Sequence, residues 1–103
     1  MFNHYPICGE AAIPSHTLWN YEVVLNIIDR YRDVVVAYMN GHYHFGGYAL
    51  RNSVHHYTMK GIVEAPRDSN HFGIMDVFAD KIMLRGFGHV ANQKFEIKDK
   101  VEI

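Results

Sequence analysis

This sequence predicts an α+β protein, with one main helix and five to six mostly antiparallel strands. Three observations lead there. Tyr21, Val24, Leu25, Ile28 and Tyr31 recur at i, i+3, i+4, i+7 and i+10, one apolar stripe on a helix. Residues 34–39 form a continuous β-prone run without polar alternation, the mark of a strand buried on both faces. Short β-prone runs separated by turn residues then fill the rest of the chain.

Taken in order, His4-Tyr5-Pro6 reads as the end of a strand entering a loop, because Pro6 biases Tyr5 toward extended backbone. Residues 8–17 contain Gly9, Pro14 and Ser15 and read as loop. Asn20 is the expected N-cap of the helix, with Glu22 in its first turn and Arg30 and Arg32 near its end, as the helix dipole favours. The buried run of 34–39 stops at Asn40-Gly41. Residues 54–59 are expected as a strand and 62–65 as a short one, followed by a polar turn at 66–70. Residues 72–78 and 82–85 read as a hairpin turning at Ala79-Asp80-Lys81. In the tail, Phe95, Ile97, Val101 and Ile103 alternate with charged residues, so the stretch 91–103 is read as an extra, half-buried strand.

Composition narrows the function. At 103 residues there is room for one domain with a modest core. Apolar residues are 49% and charged residues 20%, as in ordinary globular proteins. Ten Lys and Arg against eleven Asp and Glu leave no basic excess for nucleic-acid phosphates, so no nucleic-acid partner is expected. No apolar run approaches the ~20 residues of a membrane helix, and none resembles a signal peptide. A single cysteine, Cys8, excludes an internal disulfide and a cysteine-based zinc site. A cytoplasmic location and no membrane partner are therefore the expectation. Eight histidines are unusual for this length and point to metal or acid–base chemistry.

His42 and His44 flank one residue. On extended backbone, i and i+2 project to the same side, so both rings can address one metal cluster. Asn40-Gly41 is equally the signal of a type I′ hairpin turn, and at this point both readings stand. Ligands collect at the carboxyl ends of strands in open sheets, and Gly46-Gly47 behind the motif permit positive φ. His4 closes what reads as a second strand end. Tyr43 and Phe45 interleave with the histidines; they suit stacking on a nucleotide base, or plain packing. Of the adjacent pair His55 and His56, which face opposite sides of a strand, one is expected to line a substrate pocket, and His56 is the candidate. His16, His71 and His89 fall in predicted loops and read as solvated. Cys8 reads as a small buried thiol.

Gly41-His42-Tyr43-His44 resembles the terminal Gly-His-x-His motif of the calcineurin-like metallophosphoesterases, and Asn3-His4-Tyr5-Pro6 is similar to the histidine motif that precedes it. Within that superfamily the chain most resembles the manganese-dependent ADP-ribose/CDP-alcohol diphosphatase branch. The carrying stretches are Trp19-Asn20-Tyr21, Gly41 through Tyr48, Val54-His55-His56, Gly61 through Pro66, Phe72-Gly73 and Asp80 through Gly86. The resemblance implies part of a four-layer α/β/β/α sandwich, with 1–103 as the C-terminal portion of such a domain. It implies two divalent ions in the complete enzyme, manganese favoured, with iron, zinc or magnesium as alternatives. His4 and His42 would ligate one ion and His44 the other. The substrate implied is a small-molecule phosphate ester or anhydride, dinucleotide-like or nucleoside-diphosphate-linked.

The family pattern also requires Asp-x-His, Gly-Asp and Gly-Asn-His-Asp/Glu motifs ahead of this region, and none of them occurs here. No catalytic residue is therefore assigned. The chain is expected to be a piece of a phosphohydrolase, silent by itself, that needs a missing N-terminal half or a partner chain supplying it. The other reading is a non-catalytic remnant or subunit, a binding or interaction module with at most a weak metal site. Apolar strand faces without cover also predict poor solubility, self-association or marginal folding of the chain alone.

Overall fold

The computed structural model describes residues 1–98 and residue 100. Its one α-helix, α1, covers Tyr21–Arg30. Six strands follow: β1 Ala37–Asn40, β2 Gly47–Arg51, β3 Val54–Thr58, β4 Phe72–Val77, β5 Lys81–Phe87 and β6 Gln93–Glu96. They form two three-stranded sheets, ordered β1-β3-β2 and β4-β5-β6. Only β1 with β3 is parallel; the other pairings are antiparallel. Phe2 adds a parallel bridge to Met39, so the N-terminal segment lies along the free edge of β1. No helix among the described residues is long and apolar enough to cross a membrane.

Side-chain alternation on the first sheet separates two cores. Tyr38 and Val54 turn to the helix and pack with Ile7, Leu25 and Ile28. Tyr57, on the opposite face of β3, packs with Ile82, Leu84, Val90 and Phe95 of the second sheet and its loops, with Met39 against them. Because β3 is covered on both faces, all five of its residues are buried. The result is three layers, helix on sheet on sheet.

The helix begins and ends within a residue of its apolar stripe, but the Asn20 side chain makes no capping hydrogen bond. The 34–39 run is only partly strand. The chain must reverse after α1, and the N–H groups of Val34 and Val35 both donate to the Tyr31 carbonyl at 2.9 Å. Val34 is left 45% exposed in that turn. Residues 62–65 are not a strand. Ile62–Glu64 is a 3₁₀ turn, closed by Glu64 N–H to Gly61 O and Ala65 N–H to Ile62 O. With no strand beside it among the described residues to complete a ladder, its β-branched pattern leaves Ile62 and Val63 exposed.

Asn40-Gly41 does not make a hairpin, because β1 and β2 are not neighbours. The two-residue hairpin lies instead at Asn52-Ser53, between β2 and β3. Both residues have positive φ (48° and 65°), as a type I′ turn requires. Strand β2, which sequence patterning did not single out, comes with it. The 72–78/82–85 hairpin forms as expected, with Val77 opposite Ile82. Phe95 of the tail strand is fully buried, but β6 ends at Glu96. Asp99, Val101 and Ile103, which the sequence reading included in that strand, lie outside the described residues. His71 is 6% exposed, not solvated: its Nδ1 lies 3.0 Å from the Gly61 carbonyl.

Candidate metal centre

Backbone hydrogen bonds zip the N-terminal segment onto β1. Met39 N–H donates to Met1 O, Asn3 N–H to Met39 O, and Gly41 N–H to His4 O, at 2.8–3.0 Å. This ladder sets His4 beside the loop that leaves β1, so two strand ends meet as the sequence suggested. Tyr38 locks the same place from beneath. Its buried hydroxyl donates to the Tyr5 carbonyl at 3.0 Å and accepts from Asn3 Nδ2 at 2.9 Å. At the end of β1, Asn40 Nδ2 donates to Thr58 Oγ1 and to the Gly41 carbonyl, which fixes the start of the loop.

The loop turns sharply. Tyr43 N–H reaches Gly41 O, and Gly46 N–H reaches Tyr43 O. Positive φ is supplied by Gly46 (76°) but also by His42 itself (66°). A non-glycine residue there costs about 1 kcal/mol and is held by its surroundings. Gly47 matters for another reason: a Cβ on it would stand 2.2 Å from the Ala11 carbonyl oxygen. The loop 8–12 can therefore pack against the base of the site only on a glycine.

The consequence is a close pair of imidazoles. His42 Nδ1 lies 3.3 Å from His4 Nε2, with the rings nearly perpendicular. Two nitrogens each about 2.05 Å from one tetrahedral ion stand about 3.3 Å apart, so this spacing fits one edge of a coordination shell. Burial first, and then the nearby imidazoles of His4, His16 and His44, hold His42 below the usual histidine pKa. That favours the neutral ring, which is the form that takes a metal.

Around the pair stands an aromatic rim. The Tyr5 ring lies 4.5 Å from His42. His16, which sequence reasoning assigned to solvent, stands against both His42 and Tyr43 at 5.6 and 5.3 Å. Its signal was absent from local sequence, since it arrives through a 3₁₀ turn, Pro14–His16, folded back over the loop. Tyr43 meets Phe45 edge-on at 5.7 Å, and Phe45 is 69% exposed.

His44 stands apart from this group. Its Nδ1 faces Glu64 Oε1 at 3.3 Å, and its carbonyl accepts the Gly61 N–H. Among the described residues, no group of three or more His, Cys, Asp or Glu is arranged to hold a metal ion. The histidines present fit as donors but, among the described residues, fall short in number.

His56 is placed elsewhere. It sits in β3, 1% exposed, beside the Tyr38 ring, and neither ring nitrogen has a partner. A ring sealed between sheet and helix offers nothing to a substrate, which corrects the expectation that it lines a pocket. Burial pushes its pKa down to about 4. Cys8 is buried as expected; its Sγ meets Glu10 Oε2 at 3.1 Å, and desolvation raises its pKa.

No family model matches the chain. Individual relatives do. It is 37% identical over 98 residues to the manganese-dependent ADP-ribose/CDP-alcohol diphosphatase of Xenopus tropicalis, covering 94% of this chain and 28% of that protein. To the Mus musculus enzyme of the same name it is 38% identical over 97 residues, covering 93% and 28%. To that of Arabidopsis thaliana it is 35% identical over 94 residues, covering 90% and 30%. A crystal structure of a dimetal phosphatase from Danio rerio superposes with a TM-score of 0.87 at 29% identity, covering 93% of this chain and 31% of the other. The chain thus spans under a third of the length of the proteins it matches. The metallophosphoesterase resemblance read from the sequence is borne out, in fold and in relatives.

Proposed function

We propose that this chain is a segment of a manganese-dependent phosphohydrolase that cleaves the phosphoric anhydride of a nucleoside-diphosphate-linked small molecule. What carries the reading is the His4–His42 pair, two imidazoles with coordination-edge spacing at adjacent strand ends. The relatives named for ADP-ribose and CDP-alcohols support the substrate class.

His4 and His42 would hold one divalent ion, and His44 would offer a donor to a second. Such ions would supply Lewis acidity toward water and the phosphoryl oxygens. The chain's own part is positional. The Met1–Met39 ladder and the Tyr38 hydroxyl hold His4, and the Asn40 amide holds the loop that bears His42 and His44. Tyr43 and Phe45 offer ring faces at the rim, suited to a nucleotide base.

The test is a chimera: the Xenopus tropicalis enzyme with its matched segment replaced by this chain. The chimera should hydrolyse ADP-ribose with manganese and lose that activity on His42→Ala. The chain alone should show none. Full activity in the His42→Ala chimera would overturn the reading. The other reading, a non-catalytic module, has one observation behind it, the lack of a three-donor cluster among the described residues. An inactive chimera that still folds would favour it.

A further inference from the structure

His44 is held from three sides by one short turn. The Gly61 N–H donates to the His44 carbonyl at 2.9 Å. The ring rests on Gly61 so closely that a Cβ there would lie 2.9 Å from its Cγ. The third hold is the Glu64 carboxylate, 3.3 Å from Nδ1. The turn is itself anchored, because Glu64 N–H closes on Gly61 O and buried His71 meets the same carbonyl at 3.0 Å.

Energetically the His44–Glu64 contact is minor. Both side chains are nearly half exposed, and such pairs are worth little. Its chemical effect is more specific. A carboxylate only accepts hydrogen bonds, so a neutral imidazole facing it must carry its proton on Nδ1. The lone pair then sits on Nε2. An outer carboxylate that fixes the tautomer of a metal-binding histidine is a general device of metal sites.

We propose that Glu64 is a positioning residue for His44: it holds the Nδ1–H tautomer and leaves Nε2 as the ring's free donor to a divalent ion. This rests on the metal reading of His44 above. Glu64 does not touch the ion; it acts through the ring. The Gly61–Glu64 turn, which overlaps the stretch 62–65 that patterning alone reads as a short strand, is then part of the metal site.

Two measurements test it. In the metal-free chain with ¹⁵N-labelled histidine, at pH 8, His44 should show Nδ1 protonated. Glu64→Ala should shift it to the Nε2–H form that unpartnered imidazole prefers, while Glu64→Gln should retain Nδ1–H through the amide oxygen. In the chimera, Glu64→Ala should weaken manganese binding roughly 10- to 100-fold. Glu64→Gln should weaken it less. An Nε2–H ring at His44 in the unsubstituted chain overturns the proposal without any variant, and so does an unchanged tautomer in a folded Glu64→Ala. If His44→Ala leaves manganese affinity of the chimera intact, the metal reading of His44 fails instead, and the tautomer result still stands.

Discussion

The Nδ1 of His42 and the Nε2 of His4 lie 3.3 Å apart across 38 residues of sequence. The two rings are in hydrogen-bond contact, and the backbone places each of them as well. His4 is placed by backbone pairing to β1, and His42 by a loop that puts it at φ 66°. A spacing maintained from two independent directions is preorganised for a shared ligand. Two donors make a weak site. The isolated chain should therefore bind zinc or manganese weakly, and His4→Ala or His42→Ala should reduce that affinity at least about tenfold. His44→Ala should leave it nearly unchanged, because His44 is turned to Glu64. Titration calorimetry of the four proteins checks this.

Tyr38 is the hidden support of that pair. Its hydroxyl bridges the Asn3 side chain and the Tyr5 carbonyl, on either side of His4. Tyr38→Phe keeps the ring and removes both bonds, and since Asn3 and Tyr5 are exposed, water can take up their free groups. The expected loss is about 1 kcal/mol of stability, measured by urea denaturation. Amide exchange at Gly41, whose N–H is bonded to the His4 carbonyl, should also quicken more than exchange in β5.

His56 predicts an acid limit to the fold. Burial lowers its pKa to about 4, against an ordinary 6.5, and neither nitrogen has a partner. The unfolded chain therefore binds the extra proton more readily than the folded one. Stability from this group is fully present above pH 6.5 and is lost as the pH falls toward 4. The difference is on the order of 3 kcal/mol. Thermal melts from pH 7.5 to 4.5 should show a falling midpoint, and His56→Leu, similar in volume and without a titrating ring, should flatten the fall. An equally steep fall in that variant would place the acid sensitivity elsewhere.

Legibility in the sequence tracked how local each signal was. The helix stripe and the β4–β5 hairpin each sit in one stretch of chain, and both formed where expected. The type I′ turn at Asn52-Ser53 lacks the glycine that usually marks one, so β2 went unseen with it. Residues 62–65 have strand composition, yet among the described residues no strand lies beside them, and the local i→i+3 bonds won. His4 and His42 were found because a familiar motif named them; spacing alone left the hairpin reading open. His16 and Glu64 reach the site only through tertiary folding, one by way of the Pro14–His16 turn and the other by the Gly61 turn.

The open face of the second sheet predicts how the chain behaves alone. Phe72 and Phe87 stack at 4.5 Å on that face, and Ile74 stands beside them, each about 40% exposed. The Asp76–Arg85 and Lys94–Glu96 ion pairs and Lys81 share that face, so the apolar surface is concentrated at its Phe72–Phe87 end. A four-layer sandwich covers this face with a further layer; among the described residues the only α-helix packs on the other sheet. Strand β4 is also a sheet edge, with free backbone donors and acceptors along one side. Apolar area and an open edge together favour association between copies. The chain should sediment as a concentration-dependent mixture of oligomers, and Phe72→Ser with Ile74→Lys should shift it toward monomer. Both positions lie on the outer face, so the helix-side core should be unaffected and helix content should hold by circular dichroism. A sharply melting monomer of the unsubstituted chain at high concentration would show that this face is stable in water as it stands.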